Sequence, residues 1–173
     1  MKERSIVLKP FEVRGILDGT ITKLWRVVKP QPIEHDGIIE CGPAIAGSMH
    51  ALVAWLILNK CPLGPVGSKV WGKEAWHGSL IGEAGTSIDY KATCAQNTSE
   101  ENPWESFTSD PDAYEWVAKH YTKTWASPVT MPRWASRITL TLEAVEVEKV
   151  NGEWMWVYTV QKCDLAMVNR SDL

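Results

Sequence analysis

The sequence predicts an α+β fold, a small mixed β-barrel with two or three short helices, on three observations. Residues 136–150 and 153–158 alternate apolar and polar residues around an Asn151-Gly152 pair. Two short helical patterns open on prolines, Pro10 and Pro111, among several strand-like segments. The chain has 173 residues and 45% hydrophobic content, enough for one packed core.

Taken in order, Lys9–Gly19 reads as a helix. Pro10 occupies the first turn, where a missing N–H is harmless, Val13, Ile16 and Leu17 share a face, and Gly19 follows the end. Thr22–Val28 is a strand stopped by Pro30 and Pro32. Residues 33–67, rich in Gly and Pro, surround the apolar run Ala44–Leu58 and carry no clear period. That run is about fifteen residues where a membrane span needs about twenty, and it contains Ser48 and His50, so a buried helix or strand pair is expected. Val70–Trp76 and Ser87–Thr93 read as strands, Asn97–Asp110 as an acidic loop, and Asp110-Pro111 as the cap and first turn of a helix reaching about Tyr121.

The last third is the most legible. Ile138, Leu140 and Leu142 share one parity and Val145 and Val147 the other, so a strand from Ser136 to Val150 must change phase near Glu143-Ala144. A β-bulge makes that change. Asn151-Gly152 fits a two-residue type I′ turn, pairing Val150 with Glu153, Lys149 with Trp154, Val147 with Trp156 and Val145 with Tyr158. One face then carries Val145, Val147, Trp154, Trp156 and Tyr158, which reads as core. A single domain over 1–173 is expected, with a variable insertion at about 33–60 and an acidic loop and helix at about 95–122.

Eighteen Lys and Arg against twenty-one Asp and Glu give a net charge of −3, which excludes a global pull toward nucleic acid or acidic membranes. The distribution is uneven. Residues 1–32 carry seven positive and three negative charges, residues 95–118 none and six, and residues 119–141 four and none. Two basic stretches brought together would form a local anion site; apart, they are solvated surface. Ten of the sixteen aromatics are Trp, a residue that packs and also stacks on planar ligands. Cys41, Cys61, Cys94 and Cys163 form no zinc spacing and read as reduced thiols. His35, His50, His77 and His120 show no metal or nucleophile spacing, and no phosphate loop, nucleophile elbow or H-E-x-x-H is present, so no metal and no cofactor is expected. Met1–Ser5 has no apolar run behind its charges, so a cytoplasmic protein with no membrane partner is expected.

Several blocks carry a resemblance. They are Ile16-Leu17-Asp18-Gly19-Thr20 with Arg26–Pro32, Cys61-Pro62 with Gly64 and Gly67 leading into Val70-Trp71 and Glu74-Ala75-Trp76, then Met131–Leu140, and last Trp154–Val157. Together they cover somewhat under half of the chain, and the sequence resembles phage- and prophage-encoded members of the ASCH superfamily. The resemblance implies a PUA-like barrel in a bacterial host's cytoplasm and kinship with RNA-binding modules. It also implies hydrolases of a modified cytidine nucleoside and some ribonucleases. In the hydrolase-type members an Arg-Lys-Thr-x-Thr motif follows the Gly, and a Lys, a Thr and a later Glu form the active site. By position, the Glu matches Glu74 and the first Thr matches Thr22, but the Lys falls on Ile21 and the catalytic Thr on Leu24. Lys23 is the nearest substitute, displaced by about 6.5 Å along a strand. Arg26 matches a basic family position.

The residues themselves offer two roles each. Glu74, beside Trp76 in alternation, is an acid, a base or a reader of a base edge, or else a salt-bridge partner of Arg26 or Lys23. Arg133 and Arg137 flank Trp134, which suits phosphate and base, or else Arg137 ties down a loop carboxylate while Trp134 covers the barrel end. The first reading is a nucleic-acid or nucleotide-binding module, for RNA or a modified base, in a cleft between the first helix and the barrel. Arg26, Arg133 and Arg137 take phosphate, Trp71 or Trp134 stacks, and Glu74 holds the base. The second is a hydrolase with Glu74, Lys23 and Thr22 catalytic. The third is a phage module for a host protein, with residues 44–58 and 95–118 as its surfaces. Oligomeric state is not legible.

Overall fold

The computed structural model describes residues 3–36, 38–81, 85–93, 106–108, 111–120 and 124–163. In chain order the elements are β1 (Arg4–Val7), α1 (Pro10–Leu17), β2 (Lys23–Val27), β3 (Ile33–His35), β4 (Ile38–Cys41), β5 (Ala44–Ala46), α2 (Met49–Lys60), β6 (Lys69–Lys73), β7 (Trp76–Ile81), β8 (Gly85–Tyr90), β9 (Ser106–Thr108), α3 (Pro111–His120), β10 (Thr139–Val150) and β11 (Glu153–Lys162). The α+β class stands. Among the described residues three sheets form, in the orders β1-β6-β10-β11-β2, β3-β4-β5 and β7-β8-β9, and none of these orders closes on itself. No described helix is long and apolar enough to cross a membrane.

Contacts group the chain into two compact units, Met1–Arg4 with Ile21–Val70 and Thr139–Leu173, and Ser5–Thr20 with Trp71–Ile138. In the first unit the hairpin follows from its turn. Asn151 and Gly152 sit at φ 51° and 89°, the left-handed pair that a type I′ turn needs, and β10 and β11 meet in the register expected, Val150 with Glu153 through Val145 with Tyr158. The ladder shifts between Leu142 and Ala144, at the bulge that the change of parity requires. Because of that shift, Leu140 and Leu142 as well as Val147, Trp156 and Tyr158 are buried. The strand begins later than Ser136, at Thr139.

Edge strand β2 pairs Arg26 with Trp156 and Leu24 with Tyr158, which leaves Leu24 wholly buried. Gln31 fastens the chain beyond β2. Its Nε2 donates to the carbonyls of Val28 at 2.7 Å and Trp154 at 2.9 Å, while its Oε1 accepts from the Trp154 N–H at 2.7 Å. The expected insertion is the meander β3-β4-β5 followed by α2, so the Ala44–Leu58 run divides into a strand and a helix. Ser48 caps α2 by accepting from the Ala51 N–H at 3.3 Å. The helix is buried only along Leu52 and Leu56, four residues apart, and Leu58 and Ile45 stand in solvent. The run is therefore a one-sided helix with an exposed face rather than a buried element.

In the second unit, α1 keeps its expected bounds. Glu12, at the third helical position, accepts from the Lys9 N–H at 2.8 Å, and Asp18 Oδ1 accepts from the Thr20 N–H at 2.9 Å and hydroxyl at 2.6 Å. The Asp18-Gly19-Thr20 block is thus the stop of the helix, with Gly19 at φ 80°. Beyond it lies a core of Trp76, Ile88, Tyr90, Met131 and Ala135, against which Trp116 and Trp134 pack. β7 and β8 supply the first three and α3 covers both strands. Residues 94–105 and 109–110, with most of the acidic loop and the Asp110 cap, lie outside the described residues.

The expected Val70–Trp76 strand is two strands, broken at Glu74-Ala75. The burial alternation nevertheless continues across the break: Gly72, Glu74 and Trp76 are buried, Trp71, Lys73 and Ala75 half-buried. Gly72 has no room for a side chain, since a Cβ there would lie 2.6 Å from Leu8 Cδ1 and 3.2 Å from Ile138 Cβ. The expected Ser87–Thr93 strand ends at Tyr90, and its last residues turn back as the Thr93 N–H donates to the Tyr90 carbonyl at 3.1 Å.

Three buried side-chain groups lack a hydrogen-bond partner among the described residues, Trp76 Nε1, Thr86 Oγ1 and the Tyr158 hydroxyl. Burial foremost, and the Cys61 thiol, raise the pKa of Tyr158 above the ordinary 10.0, with Arg26 opposing. The folded chain therefore keeps a proton that the unfolded chain releases, so this contribution to stability is intact below pH 10 and is lost as pH rises above it. Tyr158→Phe is expected to hold or raise stability, by up to about 1 kcal/mol, and to flatten the fall above pH 10. Urea unfolding at pH 7 and at two alkaline values measures both; a loss above 1 kcal/mol at pH 7 would show that the hydroxyl is satisfied.

Candidate functional site

The second unit holds the densest cluster of the expected site residues. Glu74 leaves the strand pattern because three groups hold it. Its N–H donates to Met131 Sδ at 3.4 Å, and its carboxylate oxygens accept from Arg137, Nε to Oε1 and Nη2 to Oε2, both at 3.0 Å. The side chain of Glu74 is 4% exposed and that of Arg137 21%. Arg137 Nη2 also donates to Thr93 Oγ1 at 3.0 Å, and the guanidinium lies over the Tyr90 ring at 3.9 Å from its centre. The Tyr90 hydroxyl in turn donates to the Ala135 carbonyl at 2.8 Å. Ser136 Oγ, donating to the Gly72 carbonyl at 2.7 Å, joins the same block to β6.

An ion pair joins Glu74 to Arg137. This matches the alternative in which Arg137 ties down a loop carboxylate, since Glu74 lies between β6 and β7. A fork-to-fork pair of this kind uses two of the five guanidinium donors and both oxygens of the carboxylate. It suits the pair to holding the segment in place, and the charges that face outward here are other ones.

Those charges surround Trp71. The Lys73 ammonium is 4.9 Å and the Arg133 guanidinium 5.8 Å from the centre of its ring, and all three side chains are half-buried. Lys73 follows Trp71 by two residues on β6, which puts both on one face, and Arg133 enters from the 3-10 turn Arg133–Ala135. Lys73 Nζ also donates to the Val129 carbonyl at 3.0 Å, which limits its swing. Trp134, the other expected stacking residue, meets Trp76 and Trp116 edge-on, at 5.9 Å and 87° and at 6.0 Å and 75°. It is half-buried in the aromatic cluster.

The remaining expected residues belong to the first unit. Thr22 lends its carbonyl to the Val160 N–H at 2.8 Å, Lys23 is exposed and pairs with Thr159, and Arg26 donates to the Trp25 carbonyl at 2.7 Å. Leu24 is wholly buried. Sequence reasoning missed Thr93 and Tyr90 as partners of Arg137, and Lys73 as a partner of Trp71. Only the last had a signal, its spacing of two. Among the described residues no group of three His, Cys, Asp or Glu is placed to hold a metal ion.

Comparison with family models, with curated proteins and with solved structures returns no match for this chain. The ASCH resemblance rests on its residue blocks.

The buried pair generates a double-mutant test. Arg137→Met removes the cation bonded to the buried Glu74 carboxylate and is expected to cost about 3 kcal/mol, at the low end for a buried pair because Arg137 is partly exposed. Glu74→Gln alone is expected to cost less, and the double variant about 1–3 kcal/mol less than the sum. Urea unfolding of the four proteins decides it; additivity within 0.5 kcal/mol would mean that the two side chains hold the segment independently.

Proposed function

We propose that this chain is a nucleotide- or single-stranded-nucleic-acid-binding module, with RNA as its first candidate, and that Trp71, Lys73 and Arg133 form its contact surface. The observation that carries the reading is the half-buried indole of Trp71 with two cations, Lys73 at 4.9 Å and Arg133 at 5.8 Å, beside its ring. Such a group stacks on a base while its cations take the adjoining phosphates, and the combination tolerates any base because every base has a π-face. The PUA-like architecture is part of the same proposal and is supported by the ASCH-like blocks, of which the second unit contains Trp71, Glu74 and Arg133–Arg137.

Within this reading Arg137 and Glu74 are positioning residues. Their bonds fix the Gly72–Trp76 and Met131–Arg137 segments that present Trp71 and Arg133. A binding role also requires less of Glu74 than a hydrolytic one, since both of its oxygens already accept from Arg137. For the hydrolase reading Glu74→Gln is the test: loss of nucleoside turnover would move the assignment from binding to catalysis.

A fluorescein-labelled eight-nucleotide oligouridylate and its DNA counterpart, titrated by anisotropy at two salt concentrations, test the proposal. Saturable binding that weakens with salt is expected. Trp71→Ala is expected to lose about 1–3 kcal/mol, a factor of about five to over a hundred in affinity. Arg133→Gln is expected to weaken binding less and to lower the slope of log K against log salt by about one phosphate contact. Absence of binding by a folded protein, or equal binding by Trp71→Ala, overturns the assignment.

A further inference from the structure

The first unit contains a cavity of about 320 Å³ that the proposed surface does not use. One wall comes from β2 and β11, contributing Val27 and Trp156, with Val28 just beyond β2. The other is Leu56 of α2, with Pro30 and Pro62 closing the sides. Trp156 is itself held flat by Tyr158, whose ring stacks on it at 6.2 Å and 9°. The rigid prolines and this stacked pair make a preformed slot with an aromatic wall, and its volume lies at the small end of the range for ligand pockets, about 300–1,000 Å³.

The charge on the lining has one sign. Lys29 and Lys60 line the cavity, both exposed, and no carboxylate does. Lys60 lies over the Trp55 ring at 5.6 Å, a contact that leaves its three N–H donors available to an oxygen. Cys41 also lines it, with its thiol already donating to the Pro30 carbonyl at 3.2 Å. Two cations at an apolar slot complement a molecule with a flat apolar body and an anionic end. A neutral aromatic leaves the lysines without a partner, and a polyphosphate has no apolar body for the Trp156 wall.

We propose that this cavity binds a small aromatic carboxylate, its ring system against Trp156 and its carboxylate between Lys29 and Lys60. The site lies within the first unit and stands independently of the reading for Trp71.

The probe is 2-naphthoate, with 2-naphthamide as its uncharged counterpart of the same shape. Both are titrated by calorimetry into the full chain, into Lys29→Gln/Lys60→Gln and into Trp71→Ala. The proposal expects one saturable site for 2-naphthoate, binding of the amide weakened at least five-fold, and the same loss for 2-naphthoate in the double lysine variant. These lysines are exposed, so their replacement leaves the fold intact. The Trp71→Ala chain is expected to bind 2-naphthoate as the parent does, which separates this site from the nucleotide surface. No saturable binding up to millimolar probe, equal affinity for acid and amide, or a double lysine variant that binds unchanged would each overturn it. Loss of binding in Trp71→Ala would put the probe on the other surface and overturn it as well.

Discussion

The guanidinium of Arg137 is the group on which the placement of Trp71 and Arg133 in the second unit depends. Its edge bonds both Glu74 oxygens and Thr93 Oγ1, and its face lies on Tyr90. Arg can do this because it is planar and always charged, with donors in a fixed fork and a face free for an aromatic ring. A Lys at this position has neither fork nor face. A carboxylate buried as deeply as Glu74 must be paired, so the pair and the break in the β6–β7 strand pattern have one cause. Taking Glu74 out of the ladder to meet Arg137 ends β6 at Lys73, so that Trp71 and Lys73 are the last outward-facing residues of that strand.

Packing and polar satisfaction support each other there. Gly72 admits Leu8 and Ile138 against the β6 backbone because it has no Cβ, and its carbonyl takes the Ser136 hydroxyl. The Tyr90 hydroxyl and the Met131 sulfur then bind the Met131–Arg137 block to the same core. The Met-Pro-Arg-Trp-Ala-Ser-Arg run is therefore a structural staple along most of its length. Met131, Ala135 and Trp134 enter the aromatic core, Ser136 and Arg137 tie the loop, and Arg133 alone among them meets Trp71.

The first unit uses a different economy. Its hairpin is held by backbone register, and α2, which also meets β4 and β5 of the meander, packs against β10. That packing is incomplete between Trp156 and Leu56, and the cavity with its two lysines is the result. Ile33, Ile38 and Ile45 on the meander and Leu58 on α2 remain exposed, since a three-stranded sheet and a single helix can each bury only one face.

Local chemistry alone determined much of this chain. The α+β class, the Pro10 helix, the bulge near Glu143-Ala144 and the register of the Asn151-Gly152 hairpin as far as Val145 and Tyr158 were legible, because each follows from turn dihedrals or from side-chain parity within a few residues. The pairing of Arg133 and Lys73 with Trp71 was half legible, through the two-residue spacing. The partner of Glu74 was not, since Arg137 lies 63 residues away and nothing in the intervening chain encodes that separation. Nor were the division of 33–67 into meander and helix, where no period of 2 or 3.6 runs long enough to choose, or the cavity, whose walls come from strands and a helix far apart in sequence. Periodicity specifies which face a residue takes, and only the tertiary structure decides which distant face it meets, because buried charge and apolar surface are satisfied wherever the packed chain offers a partner.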